Sequence, residues 1–283
     1  MRKLLILTAA ILSLGPQVRA QIPQRYDVLG PVKSFRQETA KVTEVNGEPI
    51  EGPRVLIQTA SFDDHGNTLE RIMNNPDGTL KWKVSWVGRA TYDSKGRETE
   101  RITLNEEGVA AKRTVSLYDS DGNLNRSLTY DSGRLVFDSI FAYDQQGHKI
   151  RADHFNADKS WRSTDLFAYD SHGYLSEIRH SEGISRRESL RNDAKGNPLE
   201  WLAYDKDGRR VMKVSWEYSD NSRQFPAAYL RYGDNDKVFS KESFTYEFDS
   251  QGNWIKSKTT REVFRGQTSI IETEMTYRTI IYR

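Results

Sequence analysis

One short unit, an aromatic residue followed by Asp-x-x-Gly, recurs along most of the chain and constrains its fold more than any other feature. It stands at Phe62–Gly66, Tyr92–Gly96, Tyr118–Gly122, Tyr143–Gly147, Tyr169–Gly173, Tyr204–Gly208 and Phe248–Gly252, with Asn192–Gly196 as a variant. Seven of the 14 tyrosines precede an aspartate (Tyr26, Tyr92, Tyr118, Tyr130, Tyr143, Tyr169, Tyr204), where chance would give about one. The steps from Tyr92 to Tyr118, Tyr143 and Tyr169 are 26, 25 and 26 residues. The chemistry is that of a hairpin turn: Asp hydrogen-bonds the backbone two residues on, and Gly takes the positive φ that closes the turn. Weaker turn signals lie about halfway along each period, at Asn75-Pro76-Asp77-Gly78, Asn105–Gly108, Asp131-Ser132-Gly133, Asn156-Ala157-Asp158 and Ser181–Gly183. Each period therefore holds two strands and two turns. The same spacing reappears over a longer range, because Trp82-Lys83-Val84-Ser85-Trp86 after Gly78 is echoed by Met212-Lys213-Val214-Ser215-Trp216 after Gly208, an offset of 130 residues.

The residue two before each aromatic shares its strand face, and these pairs are apolar: Ala60/Phe62, Phe141/Tyr143, Phe167/Tyr169, Leu202/Tyr204, Trp216/Tyr218 and Tyr246/Phe248. The opposite face is apolar only in places, at Val115/Leu117, Ile140/Ala142 and Leu166/Ala168, which predicts a sheet covered on both sides there and on one side towards the C-terminus. No sustained helical period competes. The expected fold is all-β, an antiparallel meander of β-hairpins, and ~13 residues per strand and turn give about twenty strands. So many strands do not stay flat, so the sheet is expected to roll, spiral or close into a barrel. Residues 21–57 lack the repeat and read as an N-terminal cap or lead-in strands, 58–256 as the repeats, and 257–283 as C-terminal strands that close or cap the same domain.

Residues 1–20 read as a secretory signal: Arg2 and Lys3 precede the apolar run Leu4 to Leu14, and Val18-Arg19-Ala20 suits cleavage. That run is too short for a spanning helix and no later stretch comes closer, so no integral membrane span is expected. Removing Arg2, Lys3 and Arg19 leaves 39 cations against 40 anions, a balance that gives no reason to expect nucleic acid as a partner. The absence of cysteine removes disulfides, thiol catalysis, cysteine-ligated zinc and a lipid-anchored N-terminus. An exported protein, periplasmic or extracellular and held together by burial, is the expectation.

Tyr118-Asp119-Ser120-Asp121-Gly122-Asn123-Leu124 and Tyr169-Asp170-Ser171-His172-Gly173-Tyr174-Leu175, with the shortened Tyr130-Asp131-Ser132-Gly133-Arg134-Leu135, resemble the Rhs/YD repeat of bacterial exported proteins and teneurin ectodomains. The resemblance covers about residues 58–256. It implies a β-hairpin strip that can wind into a hollow shell, which in polymorphic toxins encloses a C-terminal toxic domain. This chain departs from that pattern in its short length, its degenerate units and the 31 residues that follow Gly252, so no toxin cargo is expected. The family's repeats carry no catalytic residues to transfer.

No motif identifies a reaction. His65, His148, His154, His172 and His180 show no metal-ligand spacing, and the match of His154 to His180 one period on is what repetition alone produces. The turns Asp119–Gly122 and Asp205–Gly208 lack the glycine position and distal Glu of a calcium loop. No nucleophile elbow, phosphate loop or dinucleotide fingerprint occurs. The six tryptophans are Trp82, Trp86, Trp161, Trp201, Trp216 and Trp254; Trp82 and Trp86 share a strand face with Val84, and Trp216 shares one with Val214 and Tyr218, whereas Trp161 beside a weak turn is the candidate for an exposed stacking platform. The sequence thus points to an exported, non-enzymatic scaffold that binds glycan or an envelope protein without a cofactor. An outer-membrane β-barrel and a carboxylate-dependent glycan hydrolase are the alternatives.

Overall fold

The computed structural model describes residues 28–283 except 65–67, 86–89, 105–108, 184–185, 220–224 and 267, with backbone alone at 82–85. The signal segment, Trp86 and His65 lie outside the described residues, as does the side chain of Trp82. The described chain forms twenty strands in one antiparallel sheet. In chain order they are β1 (Val32–Val45), β2 (Glu48–Glu51), β3 (Val55–Phe62), β4 (Thr68–Asn74), β5 (Leu80–Ser85), β6 (Ala90–Tyr92), β7 (Glu98–Leu104), β8 (Ala110–Tyr118), β9 (Leu124–Asp131) and β10 (Arg134–Tyr143). They continue with β11 (Lys149–Asn156), β12 (Trp161–Tyr169), β13 (Leu175–His180), β14 (Arg187–Asn192), β15 (Pro198–Tyr204), β16 (Arg210–Glu217), β17 (Ala228–Tyr232), β18 (Val238–Phe248), β19 (Trp254–Arg265) and β20 (Thr268–Tyr282).

The repeated unit makes the hairpins as its chemistry requires. In the turn from β10 to β11, the Asp144 N–H donates to the His148 carbonyl and the Gly147 N–H to the Asp144 carbonyl, with Gly147 at φ 82°. One oxygen of the Asp144 carboxylate accepts from the N–H groups of Gln146 and His148, at 2.9 and 2.8 Å. The turns that begin at Asp93, Asp170, Asp193, Asp205 and Asp249 repeat this arrangement. Register slips at the aromatic of each unit, as between Ala142 and Tyr143 and between Ala168 and Tyr169. Such a bulge adds local twist, so a row of them curls the sheet.

Three of the tyrosines also reach the preceding hairpin. The hydroxyls of Tyr118, Tyr143 and Tyr169 donate to the carbonyls of Glu98, Leu124 and Lys149, at 2.9, 2.9 and 2.8 Å. The variant Asn192 does the same with its amide, to the Leu175 carbonyl at 2.9 Å. These carbonyls lie just beyond the ladder between adjacent hairpins; the pairing of β11 with β12, for example, stops at Arg151 and Leu166. The aromatic is therefore a hydrogen-bonding peg as well as an apolar side chain.

Pairing runs in the order β5-β4-β3-β1-β20-β19 and on through consecutive strands to β6. The lead-in strand β1 is thus an interior strand, with β3 on one edge and β20 on the other. The two ends of the sheet, β5 and β6, are neighbours in sequence, so Ser85 and Ala90 lie within about 18 Å. The sheet must roll to bring them together. The roll is not closed into a barrel, since among the described residues no ladder joins β5 to β6.

The inner face carries an apolar cluster over β11 to β16, with Phe167, Ile178, Leu190, Trp201, Val214 and Trp216 buried. Each such side chain contributes roughly 1.5–3 kcal/mol on burial. Leu202/Tyr204 is the exception to the expected inward pairs: Trp201 and Ala203 face inward instead. The Tyr204 turn lies at the opposite end of the sheet from those of Tyr143 and Tyr169, which reverses the phase of its strand. The expectation of cover on both faces also fails. Leu117, Ile140 and Leu166 point outward and stay 42, 43 and 43% exposed, with no described element above them.

Candidate functional site

A repeat period sets residues one repeat apart at equal depth on the inner face, two strands away. Ser139 on β10, Asp165 on β12 and Glu188 on β14 hold one such position, two residues before Phe141, Phe167 and Leu190. His154 on β11 and His180 on β13 interleave with them, in register opposite Ser139 and Asp165 respectively. The product is a hydrogen-bonded row. Ser139 Oγ lies 2.8 Å from His154 Nδ1, and His154 Nε2 lies 3.4 Å from Asp165 Oδ2. Asp165 Oδ1 lies 2.8 Å from His180 Nδ1, His180 Nε2 lies 3.4 Å from Glu188 Oε1, and the Trp201 indole N–H donates to Glu188 Oε2 at 3.0 Å. Side-chain exposure rises along the row, from 3% at Glu188 to 15% at His180, 27% at Asp165 and 30% at His154.

Burial disfavours charge on both His180 and Asp165, and their hydrogen bonds outweigh it. Against the burial, Asp165 and Glu188 raise His180 from 6.5 to about 9. Also against the burial, His154 and His180 hold the Asp165 carboxyl well below the usual range. At neutral pH the row therefore contains His180 as an imidazolium held by the Asp165 carboxylate, with Glu188 on its other side. Burial beside the Phe141 and Phe167 rings, 5.4 and 4.6 Å away, pushes the Lys149 ammonium down, while the charge of Asp165 opposes the shift. The row alternates acid and base and does not converge on a point; among the described residues no three His, Asp or Glu side chains form a metal's ligand set.

Trp161 lies on the other face, at the start of β12, and is 53% exposed. Its indole N–H donates to Thr164 Oγ1 at 3.1 Å. The Thr164 hydroxyl donates in turn to Asp153 Oδ1 at 2.5 Å, and Arg151 Nε donates to Asp153 Oδ2 at 2.7 Å. The ring is thereby fixed in the open beside a polar chain.

The remaining candidates are absorbed by the fold. Trp201, Trp216 and Trp254 are buried. His148 stacks on Tyr169 at 4.6 Å and His172 on Tyr174 at 6.2 Å. Asp119 and Asp205 accept N–H groups of their own turns. Sequence reasoning missed the row of Ser139, His154, Asp165, His180 and Glu188. The signal was present in the one-period match of His154 and His180, which gains meaning only once the interleaved acids are seen.

No family profile and no curated protein matches the chain. Among solved structures, it is similar to a porin-like protein from Bacteroides uniformis at 11% identity and TM-score 0.45, covering 90% of this chain and 99% of that one. A porin-like protein from Bacteroides vulgatus follows at 7% identity and TM-score 0.29, covering 90% and 99%. A DUF1329 family protein from Desulfovibrio piger stands at 9% identity and TM-score 0.18, covering 89% and 86%. Likeness at this level carries no argument about function.

Proposed function

We propose that the chain is an exported β-repeat scaffold of the bacterial envelope or exterior, which binds glycan by stacking a sugar ring on Trp161. The supporting observation is a large aromatic ring held open to solvent at 53% exposure while its one polar atom is tied to Thr164. An anchored ring loses little freedom on binding, and an apolar face beside hydroxyl, carboxylate and guanidinium groups suits the alternating C–H and O–H surface of a sugar. Stacking needs no reactive group, and the platform of Trp161, Thr164, Asp153 and Arg151 works by shape.

Titration of residues 21–283 with bacterial glycans and peptidoglycan fragments, read by calorimetry alongside tryptophan fluorescence so that binding is still measured when Trp161 is replaced, tests the proposal. A saturable change that Trp161→Ala abolishes, with the melting curve unchanged, is the expected result. Binding that survives the substitution would place the glycan elsewhere, and the absence of binding across the panel would reject the sugar-stacking reading in favour of a protein partner.

A further inference from the structure

The open end of the inner row has the parts of a nucleophilic site. Ser139, His154 and Asp165 stand on three adjacent strands, linked at 2.8 and 3.4 Å in the order hydroxyl, imidazole, carboxylate. The other oxygen of Asp165 is engaged by His180, so the carboxylate is fixed at both ends. With His154 Nε2–H donating to Asp165, its Nδ1 is left as an acceptor, and the Ser139 hydroxyl donates to it. A serine so placed is the activated nucleophile of acyl transfer. Two more hydroxyls flank the pair in register on the same face: Ser127 on β9 lies opposite Ser139, and Ser163 on β12 lies opposite His154. Residues directly opposite in an antiparallel pair have Cβ atoms about 5 Å apart, within reach of an oxygen bound over Ser139. The strand N–H groups are spent in the ladder, so these hydroxyls are the donors available to a developing oxyanion. Phe137 and Phe141 lie on the same face of β10 on either side of Ser139, and Phe137 is 41% exposed.

We infer that the inner face of β9 to β12 is an esterase site, with Ser139 as nucleophile, His154 as general base, Asp165 as positioning residue and carboxylic esters of apolar acids as substrates. Ser139 Oγ attacks the ester carbonyl carbon and its proton passes to His154 Nδ1. The bond from that carbon to the leaving oxygen breaks as His154 returns the proton to it, releasing the alcohol. A water molecule, deprotonated by the same nitrogen, then cleaves the acyl-serine, which frees the acid and restores Ser139. The apolar acyl chain lies against Phe137 or Phe141. This activity is separate from glycan stacking, since Trp161 is on the opposite face, and either can fail alone.

The full chain is treated with a fluorophosphonate probe and the labelled residue is located by mass spectrometry; hydrolysis of p-nitrophenyl butyrate is followed in parallel. Label on Ser139 is expected, with its loss in Ser139→Ala and a fall in hydrolysis of at least about a hundredfold. His154→Gln should abolish both, and Asp165→Asn should lower kcat while leaving KM within about twofold. Mapping the label on the unsubstituted protein does not depend on how well any variant folds. Label absent from Ser139, or hydrolysis that persists in Ser139→Ala, would overturn the inference.

Discussion

At the scale of single residues, His180 is where charge and fold are most tightly coupled. Its ring sits between Asp165 and Glu188, and both nitrogens are engaged. Folding raises its pKa from 6.5 to about 9, so the stability it adds is complete below pH 6.5 and is lost as pH rises through 9. Asp165 works in the opposite sense: its pKa is depressed below 3.8, so its contribution is present above that value and is lost as pH falls further. The melting temperature should therefore be flat between about pH 4 and 6.5 and decline towards pH 9, with about 3 kcal/mol at stake in the His180 shift. His180→Gln should lower stability at pH 6 and remove most of the alkaline decline. A variant as stable as the parent at pH 6, or one with an unchanged alkaline limb, would show that the clasp does not act.

At the scale of elements, the repeat makes hairpins and then joins them. The Asp and Gly roles were legible in the sequence because both act within five residues, where local chemistry decides the backbone. The second role of the aromatic was not, because the carbonyl that Tyr143 caps belongs to Leu124, nineteen residues earlier, and depends on where a ladder stops. The same distinction explains the misplaced Leu202/Tyr204 pair: the motif is intact, but strand direction decides which face it presents, and direction follows from counting every turn. The inner row was hidden for a related reason. Ser139 and Asp165 are unremarkable singly, and only cross-strand register brings them to the histidines. If the tyrosine peg holds hairpins together, Tyr143→Phe should cost about 1 kcal/mol with the same secondary structure, since it leaves the ring in place and strips one hydrogen bond from the Leu124 carbonyl. Urea unfolding measures this directly, and Tyr118→Phe and Tyr169→Phe should behave alike. A neutral result at all three would leave the tyrosines as apolar spacers.

At the scale of the whole molecule, twenty strands become one sheet because β1 and β20, from opposite ends of the described chain, pair from Val32 opposite Tyr282 to Val42 opposite Thr273. This contact carries the largest sequence separation and the greatest loop-closure entropy, so it is the part of the fold most dependent on its side chains. Arg278 is its centre. The residue is 4% exposed, its Nε donates to Gln37 Oε1 at 3.1 Å, and its guanidinium lies 3.6 Å from the centre of the Trp254 ring and 5.4 Å from that of Phe35. One planar cation thus ties β1, β19 and β20 together by stacking and hydrogen bonding at once, which a lysine cannot reproduce. Arg278→Ala should cost about 3 kcal/mol, through lost packing against two rings and an amide left without its donor. Arg278→Lys should fall between it and the parent, since it keeps the charge and loses the flat stacking surface. Chemical denaturation gives both values, while hydrogen exchange of the β1 and β20 amides shows where the loss falls. If these two strands exchange no faster than β12 and β13 in Arg278→Ala, the junction of the chain's two ends is held by its backbone ladder alone, and the buried arginine serves some other end.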